Sequence, residues 1–254
     1  MVKPLVFGAF AATCALLAIV LGNASSAQSP SPGPKAQSAS DPIYIELFTS
    51  QGCSSCPPAD RLAEKLAQEE GVVIISRPVD YWDRLGWKDT LASPANTALQ
   101  RAYARRGLDG YNGVYTPQTV VAGTYGEVGS DERSLRRQIR EAQSDPSRAR
   151  LRVQFAGEQG FAIGLAGATD TPAELILLGV SSVEDISIAR GENRGRRVRY
   201  TNALIGERRV ATWNGGVNGV AVTKDQLRME GADRYAVVLR EANGGRVLAA
   251  QWLR

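Results

Sequence analysis

Hydrophobic positions along the chain fall into runs whose spacing changes several times. Residues 5–21 are uncharged and almost wholly apolar, whereas residues 28–41 are almost all Pro, Ser, Gly, Ala and Gln and bury too little to order themselves. From Pro42 the pattern becomes Ile43-Tyr44-Ile45-Glu46-Leu47-Phe48-Thr49, β-branched and aromatic and of buried-strand length. Positions 59, 62, 63, 66 and 67 then share one helix face, which Gly71 ends. Residues 72–76 return to a strand, so the segment reads as a right-handed βαβ unit with parallel pairing. A second helix is expected from Ser93 as N-cap, with Pro94 at its first position, to Arg106. Residues 119–122 and 125–128 read as a hairpin turned at Gly123-Thr124, and Ser130 as the cap of a last helix with Leu135, Ile139 and Ala142 inward.

After about residue 148 the helical period fades. Short apolar or alternating runs at 151–155, 161–166, 174–181, 184–189, 197–204, 219–223, 234–240 and 246–252 alternate with Gly, Asn or Asp, as in an antiparallel sandwich or barrel. The expected architecture is an α/β domain over 42–146, a central mixed sheet flanked by helices, followed by a β-rich, sandwich-like domain over 147–254. A length of 254 residues suits two modest domains, and 43% hydrophobic with 22% charged residues is an ordinary globular composition.

Charge changes this picture little, because +4 over such a length demands no polyanionic partner. Histidine is absent altogether, which removes the commonest general base and the commonest metal ligand. Lys3, the apolar run and the small residues Ser25-Ser26-Ala27 make residues 1–27 an export signal, with an uncleaved N-terminal anchor left open as the other reading. The remainder is then periplasmic or secreted. Cys14 lies within the signal, so the mature chain holds two cysteines in a compartment that permits disulfides.

Those two stand in Gly52-Cys53-Ser54-Ser55-Cys56-Pro57, between the first strand and the first helix. At a helix N-terminus, backbone N–H groups and the dipole stabilise a thiolate, so Cys53 is the expected nucleophile and Cys56 the resolving thiol. An inert bridge and a metal site are the other meanings of such a pair, but one pair without histidine is a poor zinc set, and no cofactor is called for.

Strand, CxxC, helix and strand, followed by Tyr115-Thr116-Pro117 ahead of the hairpin, resemble the thioredoxin superfamily. The resemblance implies that Pro117 is cis, with the Thr116 backbone holding an incoming peptide beside Cys53. It also implies that Glu46, on the strand before the CxxC, is a buried acid serving the resolving cysteine; a salt-bridged or solvent-facing Glu46 is the alternative. More closely, Glu46 to Asp60, with Val79-Asp80-Tyr81-Trp82 and Leu85-Gly86-Trp87, is similar to exported bacterial thioredoxin-like proteins grouped as domain of unknown function family 1223. The function implied is thiol–disulfide exchange with exported protein thiols or disulfides and a redox partner protein, without nucleic acid, and with no membrane beyond that anchor. The alternative is a thioredoxin-fold binding module without turnover.

Two further stretches have double meanings. Asp80, Tyr81, Trp82, Trp87 and Lys88 suit a peptide groove or core packing. The basic stretch Arg190 to Arg199 suits an anionic surface or, more simply, a solvated loop and edge strand.

Overall fold

The computed structural model describes residues 41–144 and 149–254. The segments expected to be an export signal and, apart from Asp41, a linker lie outside the described residues, as does Cys14.

Strand β1 (Ile43–Thr49) leads through the cysteine pair into helix α1 (Pro57–Leu66), which returns to β2 (Val72–Pro78). β1 and β2 pair in parallel from Ile43↔Val72 to Thr49↔Pro78. Pro57 and Pro58 open α1, where a missing N–H breaks no intrahelical bond. Helix α2 (Pro94–Arg106) starts at Ser93, whose Oγ accepts the Ala95 N–H, and stops at Gly107. After β3 (Asp109–Gly110), the antiparallel hairpin of β4 (Gln118–Val121) and β5 (Tyr125–Val128) places β4 against β1. Helix α3 (Glu132–Ser144) is capped by Asp131 rather than Ser130, because the Asp131 carboxylate reaches the Ser134 N–H at 3.0 Å.

The rest is strand: β6 (Ala149–Phe155), β7 (Phe161–Gly167), β8 (Ala173–Ser187), β9 (Arg197–Trp213), β10 (Asn218–Val222), β11 (Arg234–Glu241) and β12 (Val247–Trp252). The runs at 174–181 and 184–189 merge into β8, which pairs along its length with the slightly longer β9 through two register shifts. A nine-stranded sheet runs β12-β11-β8-β9-β2-β1-β4-β5-β3, and a second sheet runs β10-β7-β6. Leu151, Ile163 and Leu165 of the smaller sheet pack on Leu175, Leu177, Val237 and Leu239 of the larger.

Strands from both sides of the expected 146/147 boundary therefore share one sheet, and all described residues fall in one compact unit. The seam is the parallel contact of β2 with β9 at Ser76↔Ala203. There Ser76 Oγ donates to Thr201 O at 2.8 Å and Asn202 Nδ2 to Ile74 O at 3.0 Å. Tyr44, Val73 and Ile75 enter one core cluster with Ile176, Leu178, Val238 and Trp252, so apolar burial, the main favourable term in folding, crosses the seam. The architecture is mixed α/β: a large sheet, mostly strand, with few helices.

Candidate functional site

Alternation along β1 sorts its residues between the two faces of the sheet. Ile45 and Leu47 pack with Ala59, Leu62, Ala63 and Leu66 of α1, whereas Tyr44 and Phe48 join other clusters. Glu46 shares the face of Tyr44 and Phe48, away from α1, and is fully buried. Arg77 Nε lies 2.5 Å and Arg240 Nη2 3.0 Å from its Oε1; the Tyr44 hydroxyl donates to Oε1 at 3.0 Å and the Tyr103 hydroxyl to Oε2 at 2.5 Å. Burial alone would raise the Glu46 pKa, but Arg240 and Arg77 outweigh it and hold the carboxyl below its ordinary value. Glu46 is thus the salt-bridged form of the two readings, and the proton-shuttle role is corrected: a carboxylate held ionised by two guanidiniums, on the far face from α1, is a poor carrier of protons.

The buried acid beside the pair is Asp60. It lies one turn beyond Cys56, its N–H donates to Cys56 O at 3.1 Å, and its Oδ1 accepts the Thr49 hydroxyl at 2.7 Å. Its Oδ2 is buried without a hydrogen-bond partner. Burial pushes its pKa up to about 8, with nearby Asp89 adding to the rise and the Thr49 hydrogen bond and the Arg61 charge only partly opposing it. A cleft of about 560 Å³ between α1 and the β8–β9 pair, bordered by Asp60, Arg61, Glu64, Arg197 and Arg199, approaches it from solvent. The signal that marks Asp60 in the sequence is its spacing of four from Cys56, one helical turn, with Thr49 ending the preceding strand.

Cys53 and Cys56 are joined in a disulfide. Both cysteines are buried, at 1% and 0% exposure, while Ser54 and Ser55 between them are exposed. The loop before them is clamped from several elements. Asp89 Oδ2 accepts the Gln51 N–H at 2.8 Å, Trp87 Nε1 donates to Gln51 Oε1 at 2.8 Å, and Gln51 Nε2 donates to Thr90 Oγ1 at 3.1 Å. Trp82 packs so closely on Gly52 that a Cβ there would lie 3.0 Å from the Trp82 Cβ. The Trp82 indole N–H donates to Thr116 Oγ1 at 2.8 Å, which ties Thr116, whose bond to Pro117 is cis, to the cysteine loop. Pro117 itself borders Gly129 together with Leu47 and Ala59. Trp82 and Trp87, half-buried, thus form part of a wall around the pair. Among the described residues no group of three or more His, Cys, Asp or Glu comes together to hold a metal.

The second half supplies the remaining wall. The tip joining β8 to β9 is exposed except at Ile188 and Asn193; Asn193 is 1% exposed and donates from Nδ2 to Gln51 O at 2.9 Å and Cys53 O at 2.8 Å. Its neighbour Glu192 accepts the Ser54 N–H at Oε2, 3.2 Å away. The stretch read as a solvated basic loop is largely that, with these two residues turned onto the cysteine pair. About 140 residues separate them from it, and no local pattern announces such a contact.

A family model described as "Protein of unknown function (DUF1223)" matches residues 44–240. A crystallographically solved protein of Agrobacterium tumefaciens is 30% identical with a TM-score of 0.70, over 83% of this chain and 93% of that one. HBP35 of Porphyromonas gingivalis, at 13% identity and TM-score 0.52 over 85% of this chain and 75% of its own, is alike in fold. A "Probable Thioredoxin" of Archaeoglobus fulgidus is 45% identical over 38 residues, 15% of this chain and 42% of that relative, so the chain spans under half of its length.

Proposed function

The chain belongs to the family of proteins of unknown function DUF1223, and we propose that it performs thiol–disulfide exchange on exported proteins through Cys53 and Cys56. The observation that carries this reading is the Cys53–Cys56 bridge at the head of α1, with the Asp60 carboxyl, whose Oδ2 has no hydrogen-bond partner, one turn further on. A thioredoxin-like reading of residues 42–146 draws support from the order β1-α1-β2, β4-β5-α3, and from the short resemblance to the archaeal thioredoxin.

In the reducing direction the Cys53 thiolate attacks a substrate disulfide, forming a mixed disulfide and expelling one substrate thiolate. Cys56 gives up its proton, with Asp60 as the proposed acceptor, and its thiolate attacks Cys53 Sγ. The Cys53–Cys56 bond forms, the second substrate thiol leaves, and two electrons have passed to the substrate. Thr116 and cis-Pro117 would hold the substrate backbone. The oxidising direction reverses every step.

Burial of both cysteines favours a second reading, a binding module that does not turn over. The two separate in one assay. An exchange protein accelerates reduction of a protein disulfide by a small dithiol, and Cys53→Ala returns the rate to background. A wild type no faster than buffer leaves the binding module standing.

A further inference from the structure

A thiolate at a helix N-terminus is stabilised by the backbone N–H groups that point at it. In this chain that donor set is depleted. Pro57 and Pro58 have no N–H, the N–H groups of Ala59 and Asp60 both donate to Cys56 O, and that of Cys56 donates to Cys53 O at 3.2 Å. The Ser54 N–H, next along the chain from Cys53, donates to the Glu192 carboxylate. The Ser54 side chain and then its N–H hold the Glu192 carboxyl below its ordinary pKa, so it is ionised wherever a thiol begins to titrate.

We propose that Glu192, carried on the β8–β9 tip and held there by Asn193, withholds the Ser54 N–H from Cys53 and sets a negative charge beside it. The Cys53 thiol is thereby less acidic, and the pair more reducing, than a bare helix terminus would make it. Glu192 is a positioning residue, and its placement is built rather than incidental. Asn193 is the one buried polar residue of a tip exposed elsewhere but at Ile188, and Arg196 Nη1 donates to its Oδ1 at 3.0 Å. Gly195 N and Ile188 N close the tip at 2.8 and 2.9 Å through Ile188 O and Arg196 O. The redox consequence follows from exchange chemistry: the reduced form gains when its thiolate is stabilised, so withdrawing that stabilisation favours the disulfide.

The other charged groups around the loop are Arg190, Arg194 and Arg196 on the tip, Asp89 at the Gln51 N–H and Asp60 on α1. They are unchanged in the variants that test the proposal, which rests on the exchange reading above.

The test is the pH profile of Cys53 alkylation in the reduced full-length protein, read by peptide mass for wild type, Glu192→Gln and Glu192→Ala. Gln removes the charge and still accepts the N–H, whereas Ala removes both. The expected result is a midpoint displaced to lower pH in both variants and further in Ala, with at least about threefold more thiolate near neutral pH. The equilibrium with a reference dithiol couple moves the same way, toward more reduced protein. A merely structural Glu192 would change the rate equally at every pH. Coincident profiles overturn the proposal while leaving exchange intact. A Cys53 that reacts in no variant at any pH overturns the exchange reading and this proposal together.

Discussion

Glu46 and Asp60 are both buried carboxyls flanking the cysteine pair in sequence, and only Glu46 is salt-bridged. For Asp60 the folded state binds its proton up to about pH 8, while the unfolded chain releases it near pH 4. Between those values the folded state holds one more proton, so this residue makes stability fall as pH rises, by up to about 1.4 kcal/mol per pH unit. Asp60→Asn is therefore expected to flatten the decline in denaturant midpoint between pH 4 and 8; an unchanged slope would deny Asp60 its raised pKa. If Asp60 also accepts the Cys56 proton, the same variant slows release of the mixed disulfide without slowing its formation, which quenched-flow alkylation separates. At this scale the cysteine bridge is legible in the spacing of the pair, and the cis Thr116–Pro117 bond in the resemblance. The sequence leaves Glu46 between two readings because a residue type and a strand position do not say which sheet face it takes or that Arg240, 194 positions away, will meet it.

Between elements, the same Glu46 becomes a joint. Its oxygens bind β2 through Arg77, β11 through Arg240 and α2 through Tyr103, and Arg77 reaches on to Glu207 of β9 at 3.0 Å. Removing one member of a buried ion cluster leaves the others charged and unmatched, which costs about 3–5 kcal/mol. Glu46→Gln should lower stability by that order in equilibrium denaturation, and a loss below about 1 kcal/mol would show that water already shares the site. Period-two and period-3.6 patterning located nearly every strand and helix, because each reflects local burial of one face. It could not join 174–181 to 184–189, since Gly179, Ser181 and Ser182 interrupt the apolar run although β9 pairs along its length. It could not foresee that the tip of this hairpin closes over residues 51–54, because long-range contacts leave no mark on local spacing.

For the whole molecule, the two patterns along the chain suggested a boundary near 146, yet the sheet runs through it and the core around Tyr44, Val73 and Leu178 draws on both sides. A fragment ending at residue 146 would expose the β2 edge, lose the Arg240 partner of Glu46 and uncover half of that core. It is expected to lack cooperative thermal unfolding, whereas a sharp transition in circular dichroism would show that the first half folds by itself. The same continuity explains why a cysteine pair on one half is walled by a hairpin from the other.

Thiol–disulfide exchange by this protein requires Cys53 Sγ to be the attacking atom. The most direct measurement uses Cys56→Ala, reduced and mixed with a peptide disulfide, then quenched with acid and mapped by mass spectrometry. The account predicts a stable one-to-one mixed disulfide between the peptide and Cys53, absent when Cys53 is replaced instead. No adduct at Cys53, or an adduct in Cys53→Ala at Cys56 forming as fast, would contradict it.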